Sequence, residues 1–236
     1  MKNKILILAL ASTFSLSIAV WAGAFENAEA TRGGSKVAEP VENAVTLVSA
    51  SNTTQSQPIQ PTITGFNAIQ LAQDARRQIG VTTRYDPEYT SIPFPNGDVD
   101  LSKGVCTDVV IRAMRGQGVD LQKLVHEDMR KNFSKYPTRW GLKRADANID
   151  HRRVLNLEVF MTRRANQLPL TDNPADFQAG DWVTWRVGDK NLPHIGLVSN
   201  QKSALGTPLV IHNIGAGTQE ENVLFAFKMI GHYRWR

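Results

Sequence analysis

The spacing of apolar residues changes character part way along this chain, and that change restricts the fold more than any other feature. Before about residue 166 the apolar positions recur at helical intervals. Phe66, Ile69, Ala72, Ala75 and Ile79 follow a helical period up to a stop at Gly80. Cys106, Val109, Val110, Ala113 and Met114 match the i, i+3, i+4, i+7, i+8 template, ended by Gly116-Gln117-Gly118. A further helix and its exit are expected from Val119 to about Lys143, and another segment opens at Asp150 and ends near Asn166. Beyond Ala179 the pattern becomes short β-branched and aromatic runs over residues 179–187, 194–198, 208–214, 224–230 and 232–235, punctuated by Gly-rich turns. Helices followed by a meander of strands describe an α+β domain, with N-terminal helices packed on an antiparallel β-sheet.

The amino end is separate from that domain. Lys2 and Lys4 precede an apolar run from Ile5 to Val20, followed by small residues at Ala22, Gly23 and Ala24. This is the order of a secretory signal peptide, and a run of about 16 residues is short for a membrane span. Residues 1–24 are therefore expected to be removed on export, leaving no stable membrane span. Residues 25–64 are poor in large apolar side chains, as in Ser51-Asn52-Thr53-Thr54-Gln55-Ser56-Gln57-Pro58. Such a stretch buries too little surface to offset its ordering entropy and reads as a flexible tether. The folded domain is expected over residues 65–236.

The formal charge of +5 falls to +3 once Lys2 and Lys4 leave with the signal. A modest positive charge suits an anionic cell envelope, and no basic block with interleaved aromatics points to nucleic acid. No feature specifies an oligomeric state. The long segment from Val81 to Leu101, with Pro87, Pro93, Pro95 and a turn at Asn96-Gly97, reads as an ordered loop.

Cys106 is the only cysteine. An exported chain with one cysteine has no internal disulfide, and an unpaired thiol there is buried or used. Cys106 opens a helix on its inward stripe. The stripe favours a buried small hydrophobe. The helix end favours a nucleophile, because free N–H groups and the helix dipole lower a thiol pKa.

The hairpin of residues 194–214 supplies what a thiol needs. With its turn centred near Ser203, Val198 pairs with Pro208 and His194 with His212, and opposed residues share a face. An imidazole beside a thiol removes its proton, and a third polar group on the other ring nitrogen orients the base. The expected set is Cys106 as nucleophile, His194 as base and His212 as orienting residue, with Asn213 a lesser candidate for the third role. Zinc on the same three side chains is the rival, but no tight ligand pair such as C-x-x-C or H-x-x-x-H is present. His126-Glu127-Asp128 also lacks a second histidine, and no metal or cofactor is expected. His232 reads as structural.

These motifs resemble a bacterial family, domain of unknown function 1287. The blocks that carry the likeness run from Tyr85 to Arg115, Gly118 to Met129, His151 to Phe160, Ala179 to Trp185, Leu192 to Asn200, Val210 to Gly217 and Gly231 to Trp235. That family resembles the NlpC-type papain-like superfamily of cell-wall peptidases and amidases. There a Cys opens a helix packed on an antiparallel sheet, a His begins a core strand, and a third polar residue lies on the next strand. The resemblance maps Cys106, His194 in His194-Ile195-Gly196-Leu197-Val198, and His212 in Val210-Ile211-His212 onto those roles. Gly180-Asp181-Trp182-Val183 matches the turn before the first core strand. The chain departs from the pattern at Cys106-Thr107 and in a longer segment from Gly118 to Asp181. A Tyr upstream of the Cys often lines such sites, which suggests Tyr85.

The expectation is an exported cysteine hydrolase acting on an amide bond through a thioester. The resemblance and the export signal suggest the peptide part of peptidoglycan as substrate. Tyr85, Arg84, Asp86, Asp108, His151 and Asn213 are candidate substrate contacts. The alternatives are an acyl or thioester transferase on the same triad, or a non-catalytic envelope-binding module.

Overall fold

A computed structural model describes residues 65–164 and 166–236. The expected signal and the tether, residues 1–64, lie outside the described residues.

Helix α1 (Ala68–Arg76) starts at Asn67, whose side chain accepts from the Gln70 N–H at 3.0 Å. It buries Leu71, Ala72 and Ala75. The expected stripe through Ile69 and Ile79 is corrected: the helix ends at Arg76, and those two residues are 53% and 38% exposed. Leu71 joins Ala72 and Ala75, already in the expected stripe, on the buried face.

The long loop contains two short strands the sequence pattern does not announce. β1 (Arg84–Tyr85) pairs in parallel with β2 (Lys103–Gly104). Between them, Asp98 is gripped by Arg112 and Arg115 from the next helix. Two guanidinium groups on one carboxylate tie the loop to the core, beside the buried Ile92 and Val99.

Helix α2 (Cys106–Gly116) is central. Eight of its eleven residues are buried, including Thr107 and Asp108. Its first turn is closed by Asp108, whose carboxylate accepts the Val105 N–H at 2.6 Å. Helix α3 (Leu121–Asn132) is capped by Asp120, which accepts from the Lys123 N–H. A 3-10 turn at Asp150–Arg152 precedes α4 (Val154–Arg164).

One antiparallel sheet carries the remaining strands: β3 (Asn166–Gln167), β4 (Trp182–Val187), β5 (Leu192–Lys202), β6 (Pro208–Asn213), β7 (Thr218–Glu221) and β8 (Lys228–Arg234), in the order β3-β8-β4-β5-β6-β7. Trp182, Ile195, Leu197, Ile211 and Tyr233 share a core with the helices. Phe177, Val183, Trp185, Val198, Val210 and Leu224 form a second core on the other face. The architecture is α+β, helices followed by an antiparallel sheet.

Two strand expectations are corrected. Residues 224–230 and 232–235 are not two strands: β8 is continuous through Gly231, and 224–226 form a turn. Leu224 is fully buried there, its carbonyl accepting the Trp185 indole N–H at 3.0 Å, so its hydrophobicity marks a plug and not a strand. The strand that pairs with β6 is instead β7, whose Thr-Gln-Glu-Glu sequence has no apolar alternation because its side chains make polar contacts.

The hairpin register is also corrected. Lys202 pairs with Pro208, which centres the turn on Leu205 and not on Ser203. An irregularity follows, and Val198 pairs with Val210 and Leu197 with Ile211. At His194 the register is displaced by two residues. A two-residue slip leaves every side chain on its original face. His194 and His212 are therefore diagonal neighbours on one face, not directly opposed. Gly196 falls opposite His212, and a Cβ there would lie 3.2 Å from the His212 Cβ and 2.6 Å from Val210 Cγ1.

Candidate active site

The site forms where β5 and β6 part. Val198 N–H donates to the Asp181 carbonyl on the β4 side at 2.8 Å. Backbone groups alternate along an antiparallel strand, so those of Ile195 and Leu197 face β6. Pairing with β6 ends at Leu197 and Ile211. The next pair, Ile195 with Asn213, is not made. The Ile195 N–H instead lies near enough to the Cys106 thiol to favour its ionised form. The thiol thus occupies the seam that the two strands leave open.

Asn213 holds the approach to that seam. Its Nδ2 donates to the Gly104 carbonyl at 3.1 Å, and its Oδ1 accepts the Gly215 N–H at 3.2 Å. Gly104 stands two residues before Cys106, so the end of β6 fixes the entry to α2. Asn213 points away from the His212 side of the strand, as alternation requires.

Cys106 is 4% exposed. Burial pushes its thiol up to about 12, against the N–H groups of Ile195, Thr107 and Cys106 itself, which lower it; the nearby Asp108 carboxylate raises it further. The expectation that the helix end lowers this thiol is therefore reversed. The amides are present, but sealing the sulfur from water outweighs them.

The histidines lie across the seam, on the sheet face opposite the helices. His194 Nε2 and His212 Nδ1 are hydrogen-bonded at 2.9 Å, and the His194 ring stacks on Trp185. His212 Nε2 is 3.0 Å from the Glu221 carboxylate. His194 is 1% and His212 0% exposed. Burial, then the neighbouring His212, pulls His194 well below the usual imidazole range. Its Nδ1 is buried without a hydrogen-bond partner. The thiol lies on the helix side of the sheet and the His194 ring on the other, and no hydrogen bond joins them.

Glu221 was not legible as a site residue, because its strand lacks the alternation that marks a strand. The other candidates are scattered in role. Tyr85 is half-buried, and burial, then the neighbouring Cys106 and Asp108, pushes its hydroxyl well above its ordinary value. Asp108 is taken up by Val105 and by Arg152, whose Nε and Nη2 each donate at 2.8 Å; both side chains are at most 4% exposed. Asp86 pairs with Lys103 at 2.7 Å. Arg84 is exposed, with Nη2 donating to Ser102 Oγ at 3.3 Å. His151 is buried with an unpartnered Nδ1, and burial pulls it down to about 4. His232 Nε2 donates to the Asp181 carboxylate at 2.8 Å inside a cluster with Arg234, and the ring stacks on Phe177. Among the described residues, no three His, Cys, Asp or Glu side chains converge as metal ligands would.

Comparison with known proteins places this chain in a family. Uncharacterized protein YijF of Escherichia coli (strain K12) is 55% identical over 188 residues, covering 78% of this chain and 91% of that protein. Among solved structures, NlpC1 from Trichomonas vaginalis aligns with a TM-score of 0.40 at 10% identity over 71% of this chain. NlpC2 from the same organism aligns at 0.39 and 10% over 73%. This chain spans 44% and 49% of those two proteins. The model of the family described as domain of unknown function (DUF1287) matches residues 72–235, and the chain belongs to that family.

Proposed function

We propose that this protein is an exported cysteine hydrolase that cleaves an amide bond in the peptide part of peptidoglycan. One observation carries the reading: Cys106, the only cysteine, opens α2 against Ile195 of β5, and the adjoining His194 keeps a buried Nδ1 with no hydrogen-bond partner. A bare imidazole nitrogen next to a thiol at a helix N-terminus is the minimum that nucleophilic acyl transfer requires. The signal-like amino end and the resemblance to NlpC-type enzymes favour the substrate.

With the thiol raised to about 12 and His194 lowered, the resting pair is neutral. Sulfur attack on the carbonyl carbon is then accompanied by transfer of the thiol proton to His194. The oxyanion is stabilised by amide N–H groups at the start of α2, where Cys106 and Thr107 already direct theirs at the sulfur. His194 returns the proton to the leaving amine, which departs and leaves a thioester. Water, deprotonated by His194, adds to the thioester and releases the carboxylate and the thiol. Because Cys106 is 4% exposed, substrate entry requires displacement of the groups around it.

The same burial, and the missing thiol–imidazole hydrogen bond, favour one alternative: a non-catalytic module that binds the cell envelope. Mass spectrometry of defined muropeptides after incubation with native and Cys106→Ala protein separates the two. Cleavage by the native protein alone supports the hydrolase. Unaltered muropeptides with equal binding by both proteins support the module, and acyl transfer without peptide cleavage refutes hydrolysis.

A further inference from the structure

The hydrogen-bond chain on the far face of the sheet has a third member that the Cys-His-His reading does not use. β7 is the edge strand, and its register sets His212 opposite Gln219 and Val210 opposite Glu221. Glu221 thus sits diagonal to His212, where its carboxylate reaches the ring at 3.0 Å. The Glu221 side chain is 46% exposed while the ring it contacts is fully buried. Water keeps this carboxylate solvated, and the hydrogen bond from His212 holds it below the usual glutamate range.

We propose that Glu221 is a positioning residue that sets the tautomer of both buried rings, so that the lone pair of His194 is on its unpartnered Nδ1. The inference rests on the reading of His194 as the base. The logic is donor and acceptor counting. An ionised carboxylate only accepts, so His212 Nε2 carries the hydrogen. A neutral His212 then has its lone pair on Nδ1. The 2.9 Å contact makes His194 Nε2 the donor, and a neutral His194 is left with a bare Nδ1. Without Glu221 the chain can run the other way, with His212 Nδ1 donating to His194 Nε2. The hydrogen of His194 then sits on Nδ1, and the ring cannot take a proton there.

The test reads the tautomer itself. Full-length protein labelled with 15N-histidine is observed by long-range 1H–15N NMR at neutral pH, as native, Glu221→Gln and Glu221→Asp. The native protein is expected to show Nε2–H and bare Nδ1 on both His194 and His212. Glu221→Gln is expected to lose that single assignment, because an amide both donates and accepts, and Glu221→Asp to recover it in part. Native His194 carrying a hydrogen on Nδ1, a doubly protonated native His212, or an unchanged tautomer in Glu221→Gln overturns the inference. Muropeptide cleavage gives the second readout: kcat falls about 10- to 100-fold in Glu221→Gln with KM little changed, the range seen when a carboxylate that orients a metal-bound imidazole is lost. If the native protein cleaves nothing but the tautomers follow Glu221, the enzymatic reading fails and the positioning role stands. If it cleaves and Glu221→Gln changes neither readout, the positioning role alone fails.

Discussion

Ionising Cys106 in the folded state should be costly, and the cost is measurable in two ways. Burial moves the thiol from an ordinary value of 9.0 to about 12. A shift of about three units corresponds to about 4 kcal/mol. At pH 7.5 the thiolate fraction falls from about one in thirty to about one in thirty thousand, a thousandfold loss of reactive form. The first assay is alkylation by a small neutral reagent such as iodoacetamide, followed against pH. The expected native profile rises through pH 9 without a plateau, while urea-unfolded protein levels off near its ordinary value. The second is stability. The folded pKa of this acid is raised, so its contribution is fully present below pH 9 and is lost as pH climbs toward 12. In that window the unfolded state has released a proton that the folded state retains, so stability falls by about 1.4 kcal/mol per pH unit. Urea unfolding should therefore show native protein losing about 2 kcal/mol more than Cys106→Ala between pH 9 and 10.5. Tyr136 and Tyr233 titrate in both proteins and cancel in the difference, while Tyr85 keeps in Cys106→Ala the part of its shift that burial causes and loses the part that Cys106 causes. An alkylation inflection at or below pH 9 in folded protein, or equal alkaline slopes in the two proteins, would refute the occluded, neutral thiol.

Other perturbations follow from the same contacts. Arg152→Met leaves the Asp108 carboxylate buried without its partner, and is expected to cost about 3–5 kcal/mol in urea unfolding. Gly196→Ala places a Cβ against Val210 and His212, and should cost about 1–3 kcal/mol while disturbing the paired ring signals in NMR. His151 is neutral when folded, with its value lowered from 6.5 to about 4; stability is present above pH 6.5 and lost as pH falls toward 4, and His151→Gln should flatten that acid limb by about 1.4 kcal/mol per unit. Asn213→Ala removes the donor to Gly104 and is expected to cost about 1–3 kcal/mol, read as a lower urea midpoint with unchanged slope.

What the sequence determined by itself is the part written in local periodicity. The α2 stripe from Cys106 to Met114 and the apolar runs of β4, β5 and β6 specify their elements, because each must bury one face. The pairing of His194 with His212 on one face was legible even with the wrong turn. The side-chain period of a strand is two, and the register was displaced by two. Tertiary structure alone decided the rest. Asp108 and Arg152 lie 44 residues apart, and nothing local in either announces a buried ion pair. Glu221 lies on a polar edge strand whose contacts are made by side chains of other elements, so no alternation marks it. The state of Cys106 depends on the seam between β5 and β6 that receives its sulfur. A helix N-terminus argues for a thiolate, but solvent exclusion is a property of the whole packed core, and here it is the larger effect.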